Sequence, residues 1–145
     1  MVHKAYLTID DSPSAQTDDL TDFLAAHNIQ GQFFCRGDRM DQTLDPVVRA
    51  IEKGMVIANH SYSHRPAGDL SYAEIVAEIE ATERLIEKAY RAAGALRTEK
   101  YFRFPYLDRG DGGRLERRFT DIIAAVSAGR EISLPGWEKV KLRQD

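Results

Sequence analysis

Short apolar runs alternate with amphipathic stretches along this chain, at residues 3 to 9, 31 to 36, 55 to 58 and 100 to 104. A chain with this rhythm builds an α/β domain, in which strands are covered by helices whose apolar faces lie against the sheet. The stretch after the first run predicts a helix with Asp18 and Asp19 in its opening turn and Leu20, Phe23 and Leu24 on one face. Asp45 and Pro46 predict an N-cap and a first-turn proline for a helix that carries Val47, Val48 and Ile51 and stops near Gly54. Ser71 and Glu74 have the spacing of a capping box. The long helix behind them carries Ile75, Ile79, Ile86 and Ala89, with Gly94 near its end. Farther on, Gly110 to Gly113 read as a loop, Leu115, Phe119, Ile122 and Val126 mark a last helix, and the tail from Leu134 has no clear periodicity.

Composition excludes several classes. The 145 residues are 43% hydrophobic and 30% charged, the balance of a globular domain, and suffice for one domain with a real core. A net charge of -3 gives no general attraction to nucleic acid or to an anionic membrane, and no apolar run reaches membrane-spanning length. Arg114, Arg117 and Arg118 read as a solvated helix face. Cys35 is the single cysteine, set in the apolar run Gln32-Phe33-Phe34-Cys35, and reads as a buried structural thiol. The first residues lack the pattern of a signal peptide, so the chain as written is expected to stay in the cytoplasm.

Three of the four apolar runs lead into polar clusters, and parallel α/β folds gather their functional loops at the carboxyl ends of the strands. The first cluster is Asp10-Asp11, two carboxylates that can divide labour between holding a cation and acting as a base. Alone the pair says little, because aspartate is common at strand-to-loop turns. The second is His60-Ser61-Tyr62-Ser63-His64, whose histidines lie four apart and, on a helical turn, would share one side within reach of one ion. One aspartate with two histidines leaves a coordination position open for water, as a catalytic zinc site requires. The third cluster is Arg103-Phe104-Pro105-Tyr106. An arginine there can hold a neighbouring carboxylate by a bidentate contact, and a Pro-Tyr turn can aim a backbone N–H at a developing oxyanion.

Thr8-Ile9-Asp10-Asp11, His60-Ser61-x-x-His64 and Arg103-x-Pro105-Tyr106 resemble, in order and at similar spacing, the first three motifs of the NodB-homology polysaccharide deacetylases, carbohydrate esterase family 4. The resemblance covers roughly the first 110 residues. Phe33-Phe34 and the stretch Ala50-Ile51-Glu52-Lys53-Gly54 leading to Asn59-His60 share it. It implies a distorted (β/α) barrel with parallel strands, of which this chain would hold the first four to five βα units. The implied activity is a metal-dependent hydrolase that removes N- or O-acetyl groups from a polysaccharide or oligosaccharide, acting on carbon–nitrogen bonds other than peptide bonds. Carried over by position, Asp10 is the general base; Asp11, His60 and His64 hold a divalent metal, zinc foremost. Arg103 orients Asp10, the Tyr106 backbone N–H serves the oxyanion hole, and Pro105 and Tyr106 face the substrate.

The chain departs from the family pattern in places. Ser12 stands where the family usually has glycine, Trp137 follows Pro135-Gly136 with no preceding aspartate, and no histidine follows His64 to act as general acid. Residues 1 to 145 are therefore expected to form a C-terminally incomplete deacetylase domain. It should bind metal, deacetylate poorly, favour activated acetate esters over N-acetyl sugars, and self-associate through an open barrel edge. Two other readings stay open. One is a same-fold amidohydrolase acting on a non-acetyl C–N bond, such as a cyclic imide or ureide. The other is a non-catalytic metal- or carbohydrate-binding module.

Overall fold

The computed structural model describes residues 6–108. Within them, β1 (Leu7–Ser12), β2 (Gly31–Cys35) and β3 (Val56–Asn59) form one parallel sheet in the order β1-β2-β3. Helices α1 (Thr17–Ala26), α2 (Gly37–Gln42) and α3 (Asp45–Glu52) fill the crossovers, and α4 (Tyr72–Ala92) follows β3. This is an α/β fold, the opening arc of a (β/α) barrel. The expected fourth strand is reduced to a single parallel bridge between Asn59 and Phe102. The contact runs through the last residue of β3: Asn59 donates its amide to the Tyr101 carbonyl and accepts from the Arg103 amide. The expected loop at Gly110 to Gly113, the last helix and the Arg114 cluster lie outside the described residues.

The core sits between the sheet and the helices that cross it. Phe33, Cys35, Val47, Ala50, Ile57, Ile86 and Ala89 are fully buried there, so Cys35 is the structural thiol its context predicts. Burial pushes that thiol far above its usual range, which leaves it protonated and inert. On α4 the expected apolar stripe is buried at Ile75, Ile79, Ile86 and Ala89, and the Ser71–Glu74 capping box closes its first turn with both reciprocal bonds.

Two helix readings need correction. On α1 the buried positions are Thr17, Thr21 and Leu24, while Leu20 and Phe23 are 37% and 58% exposed. The inward stripe thus follows the i, i+4, i+7 row, which the flanking apolar residues obscure. Asp45 is the first residue of α3 rather than its cap; Leu44 holds the cap position and makes no side-chain cap bond.

Helix α2, too short to show in the periodicity, connects the sheet to the loop after β3. The Gly37 and Asp38 amides donate to the Ser61 and Tyr62 carbonyls at 3.0 Å each. Gly37 is required by close approach: a Cβ there would lie 2.3 Å from Tyr62 Cδ2 and 2.5 Å from Thr82 Oγ1. Gly37→Ala should therefore force Tyr62 and Thr82 apart and lower stability by about 1–3 kcal/mol, measured as a drop in the urea midpoint. An unchanged midpoint would show that the loop gives way freely.

Candidate metal centre and catalytic residues

The register between β1 and β2 slips where β1 ends. Ile9 pairs with Phe33 but Ser12 pairs with Cys35, so Asp10 and Asp11 together face the single residue Phe34. In a regular strand consecutive side chains point to opposite faces, and an extra residue re-aims one of them. Asp11 completes the change with a φ of 61°. Arg39 Nη1 donates to the Asp11 carbonyl and holds the turn. Both aspartates thereby reach the same site.

His60 and His64 also meet there, although not on a helical turn as the spacing suggests. The segment between them is irregular, with φ of 68° at Ser61 and 60° at His64. Tyr106 and Leu107, in the short turn Pro105–Leu107, have φ of 57° and 53°. Five of the six non-glycine residues with positive φ among those described thus lie around this one site. Each such residue costs on the order of 1–2 kcal/mol, a cost that persists where the surrounding structure over-determines the backbone for a purpose.

His64 Nε2 lies 3.1 Å from Asp11 Oδ1 and 3.2 Å from His60 Nε2, and His60 Nε2 lies 3.9 Å from Asp11 Oδ1. The mean edge of this triangle is about 3.4 Å, the spacing of ligands around a tetrahedral ion with bonds of about 2.0–2.1 Å. The side chain of Asp11 is 44% exposed, yet Oδ1 itself is buried and makes no hydrogen bond. His60 Nδ1 faces the Arg103 carbonyl at 2.9 Å, and as its donor leaves Nε2 with a lone pair directed at Asp11 and His64. Burial, reinforced by His64, holds the His60 imidazole below its usual range despite the opposing pull of that carbonyl and of both aspartates, so it is neutral near pH 7. An orphaned carboxylate oxygen and a neutral imidazole lone pair facing one another are what a cation would satisfy, and these three residues fit a divalent ion.

Beside this cluster, Arg103 Nη1 donates to Asp10 Oδ1 at 2.6 Å and to Thr8 Oγ1 at 3.2 Å. The contact uses one guanidinium nitrogen rather than the expected fork. The guanidinium also stacks on Phe34, 4.0 Å from its ring centroid. Pro105 is buried, and the exposed Tyr106 ring lies edge-on to His64 with centroids 4.7 Å apart. Of the seven residues singled out in the sequence, Asp10, Asp11, His60 and His64 come from the ends of β1 and β3 or the loop after β3, and Arg103, Pro105 and Tyr106 follow the bridge at Phe102.

Sequence reasoning missed three contributors. Arg36 places Nη1 3.9 Å from Asp11 Oδ1 while it forks onto Asp38. Asn59, fully buried, accepts from the Ser61 amide through Oδ1 and donates to Glu83 and the Ile79 carbonyl. Glu78 on α4 accepts from Ser61, Tyr62 and Ser63. Burial works to raise the Glu78 carboxyl, but the bonds from these three residues outweigh it and hold it below the usual glutamate value.

A profile of the family described as polysaccharide deacetylase matches residues 2–121. The chain belongs to that family. A peptidoglycan-N-acetylglucosamine deacetylase of Bacillus cereus is 34% identical over 101 residues, which are 69% of this chain and 35% of that protein. A bifunctional xylanase/deacetylase of Pseudobutyrivibrio xylanivorans is 31% identical over 102 residues, 70% of this chain and 16% of that protein. Among solved structures, the family 4 carbohydrate esterase of Streptomyces lividans in complex with acetate aligns with a TM-score of 0.65 and 31% identity, over 82% of this chain and 56% of that one. The chain therefore spans about a third or less of the two curated relatives, and the three polar clusters lie within the residues 2–121 that the family profile matches.

Proposed function

We propose that this chain carries the metal-binding and base-bearing part of a hydrolase that removes N- or O-linked acetyl groups from a polysaccharide or oligosaccharide. The observation that carries the reading is the Asp11–His60–His64 triangle with its orphaned Oδ1, set beside an aspartate held by Arg103. Asp11, His60 and His64 would hold one divalent ion, with zinc favoured by the imidazole–carboxylate donor set. Such an ion, when bound, polarises an acyl carbonyl and lowers the pKa of water. Asp10, outside the triangle and 40% exposed, takes the proton of the water that attacks the acetyl carbon. Arg103 keeps Asp10 aimed at that water through its single short bond. The Tyr106 amide, presented by the Pro105 turn, donates to the oxygen that gains charge as the carbonyl carbon becomes tetrahedral. An acetylated glycan chain is the substrate class that the relatives' names support.

The test uses the full chain and an acetate ester with a good leaving group, which needs little acid assistance. Treatment with a chelator should cut hydrolysis at least about 100-fold, and added zinc should restore it. Hydrolysis that survives complete chelation would overturn the metal-dependent reading.

A further inference from the structure

The carboxylate of Glu78 receives four hydrogen bonds, all from the three residues between the paired histidines. Oε2 accepts from the Ser61 hydroxyl at 2.7 Å, the Tyr62 amide at 2.9 Å and the Ser63 amide at 2.6 Å, and Oε1 accepts from the Ser63 hydroxyl at 2.7 Å. The opposite side of this segment is held by α2, whose first amides bond the Ser61 and Tyr62 carbonyls. Asn59 takes the remaining Ser61 amide at 2.9 Å. Left-handed residues at Ser61 and His64 turn the segment so that its amides point toward α4, away from any strand or helix ladder. Donors so placed need an acceptor supplied from elsewhere, and a carboxylate with several lone pairs takes them all at once.

We infer that Glu78 is a positioning residue of the metal centre, clamping Ser61–Ser63 and thereby fixing how far apart His60 Nε2 and His64 Nε2 stand. The inference rests on the metal site proposed above. Glu78 lies on the helix that fills the core through Ile75, Ile79 and Ile86, so the clamp is referenced to a helix packed in the core. Remove it and the Tyr62 and Ser63 amides must find water, which lets the His64 φ of 60° relax toward the ordinary region. His60 would stay in place, tied by its amide to the Cys35 carbonyl and by Nδ1 to Arg103. The change would fall on the separation of the two ligands. Glu78→Gln sharpens the effect: the charge is lost, and Oε1 becomes an NH₂ group for which only the Ser63 hydroxyl can act as acceptor.

The experiment measures zinc dissociation constants of the full chain by competition with a chromophoric chelator, and the visible spectrum of the Co²⁺-loaded chain. The variants are Glu78→Gln, Ser63→Ala and, as a control, Glu74→Gln. Glu74 sits one turn earlier on α4 and caps its first turn without bonding the Ser61–Ser63 segment. Glu78→Gln should weaken zinc about 10- to 100-fold and alter the Co²⁺ band, as partners one step beyond the ligands commonly do. Ser63→Ala, which removes one bond of the four, should weaken it severalfold and carries the test if Glu78→Gln does not fold. Glu74→Gln should lower the urea midpoint and leave zinc affinity and spectrum unchanged. Wild-type affinity and spectrum in the Glu78 or Ser63 variant would overturn the inference, as would an equal loss in Glu74→Gln. Failure of the wild-type chain itself to bind zinc would instead remove the underlying metal-site reading.

Discussion

Asp11→Asn is expected to weaken zinc binding about 100- to 1000-fold while leaving the metal-free fold as stable as before or slightly more so. Zinc in a four-ligand protein site is bound by about 10–16 kcal/mol, or about 2.5–4 kcal/mol for each ligand. Asparagine removes the anionic oxygen but keeps the shape, and it tolerates the positive φ that Asp11 adopts. Its backbone carbonyl still receives Arg39. The amide NH₂ can donate to His64 Nε2, which lies 3.1 Å from the Oδ1 position, where the carboxylate had no hydrogen bond. Relieving a buried unsatisfied acceptor favours the fold. Chelator competition and urea denaturation on the same preparation check both halves. Zinc affinity within threefold of wild type would remove Asp11 from the ligand set.

The second large effect belongs to Asp10. Asp10→Asn should lower kcat/KM on an activated acetate ester by about 10²- to 10⁴-fold, the usual contribution of a positioned general base. That range corresponds to about 3–5 kcal/mol of barrier. Asparagine retains an oxygen to accept from Arg103 Nη1, so the geometry survives while the capacity to take a proton does not. Zinc affinity should be unchanged, because Asp10 stands outside the Asp11–His60–His64 triangle. The two neighbouring substitutions therefore separate cleanly, one losing the ion and the other losing only turnover. Steady-state rates within threefold of wild type would show that the proton goes elsewhere.

Much of this site was legible in the chain, and for a physical reason. Parallel strands deliver their last residues to one side, so the clusters after the first, third and fourth apolar runs had to converge once the α/β rhythm was recognised. The means of convergence was not legible. Spacing suggested a helical turn for His60 and His64, whereas left-handed backbone at Ser61 and His64 brings the rings together. No propensity of serine announces that conformation; it is imposed by Asn59, α2 and Glu78 from outside the Ser61–Ser63 stretch. The same limit hid Glu78 itself. A glutamate beside the stripe Ile75, Ile79, Ile86 reads as a solvated flank until α4 is known to lie against the histidine loop. Residues 100 to 104 carried the composition of a strand, but only Phe102 pairs, opposite Asn59, the residue at which β3 ends.

Arg103 does two jobs from one backbone position. Its carbonyl sets the tautomer of His60, and its guanidinium sets the aim of Asp10. A slip of this segment by one residue against Asn59 would therefore disturb the proposed ligand and the proposed base in the same event, rather than one after the other. Misregistered molecules would be silent in both assays, neither binding the ion nor turning over, instead of forming a population that holds metal but works slowly. In a partly misfolded preparation, the fraction of chains that bind zinc and the fraction that hydrolyse ester should then rise and fall together. Titrating active sites against bound zinc would give a constant ratio across preparations of very different quality.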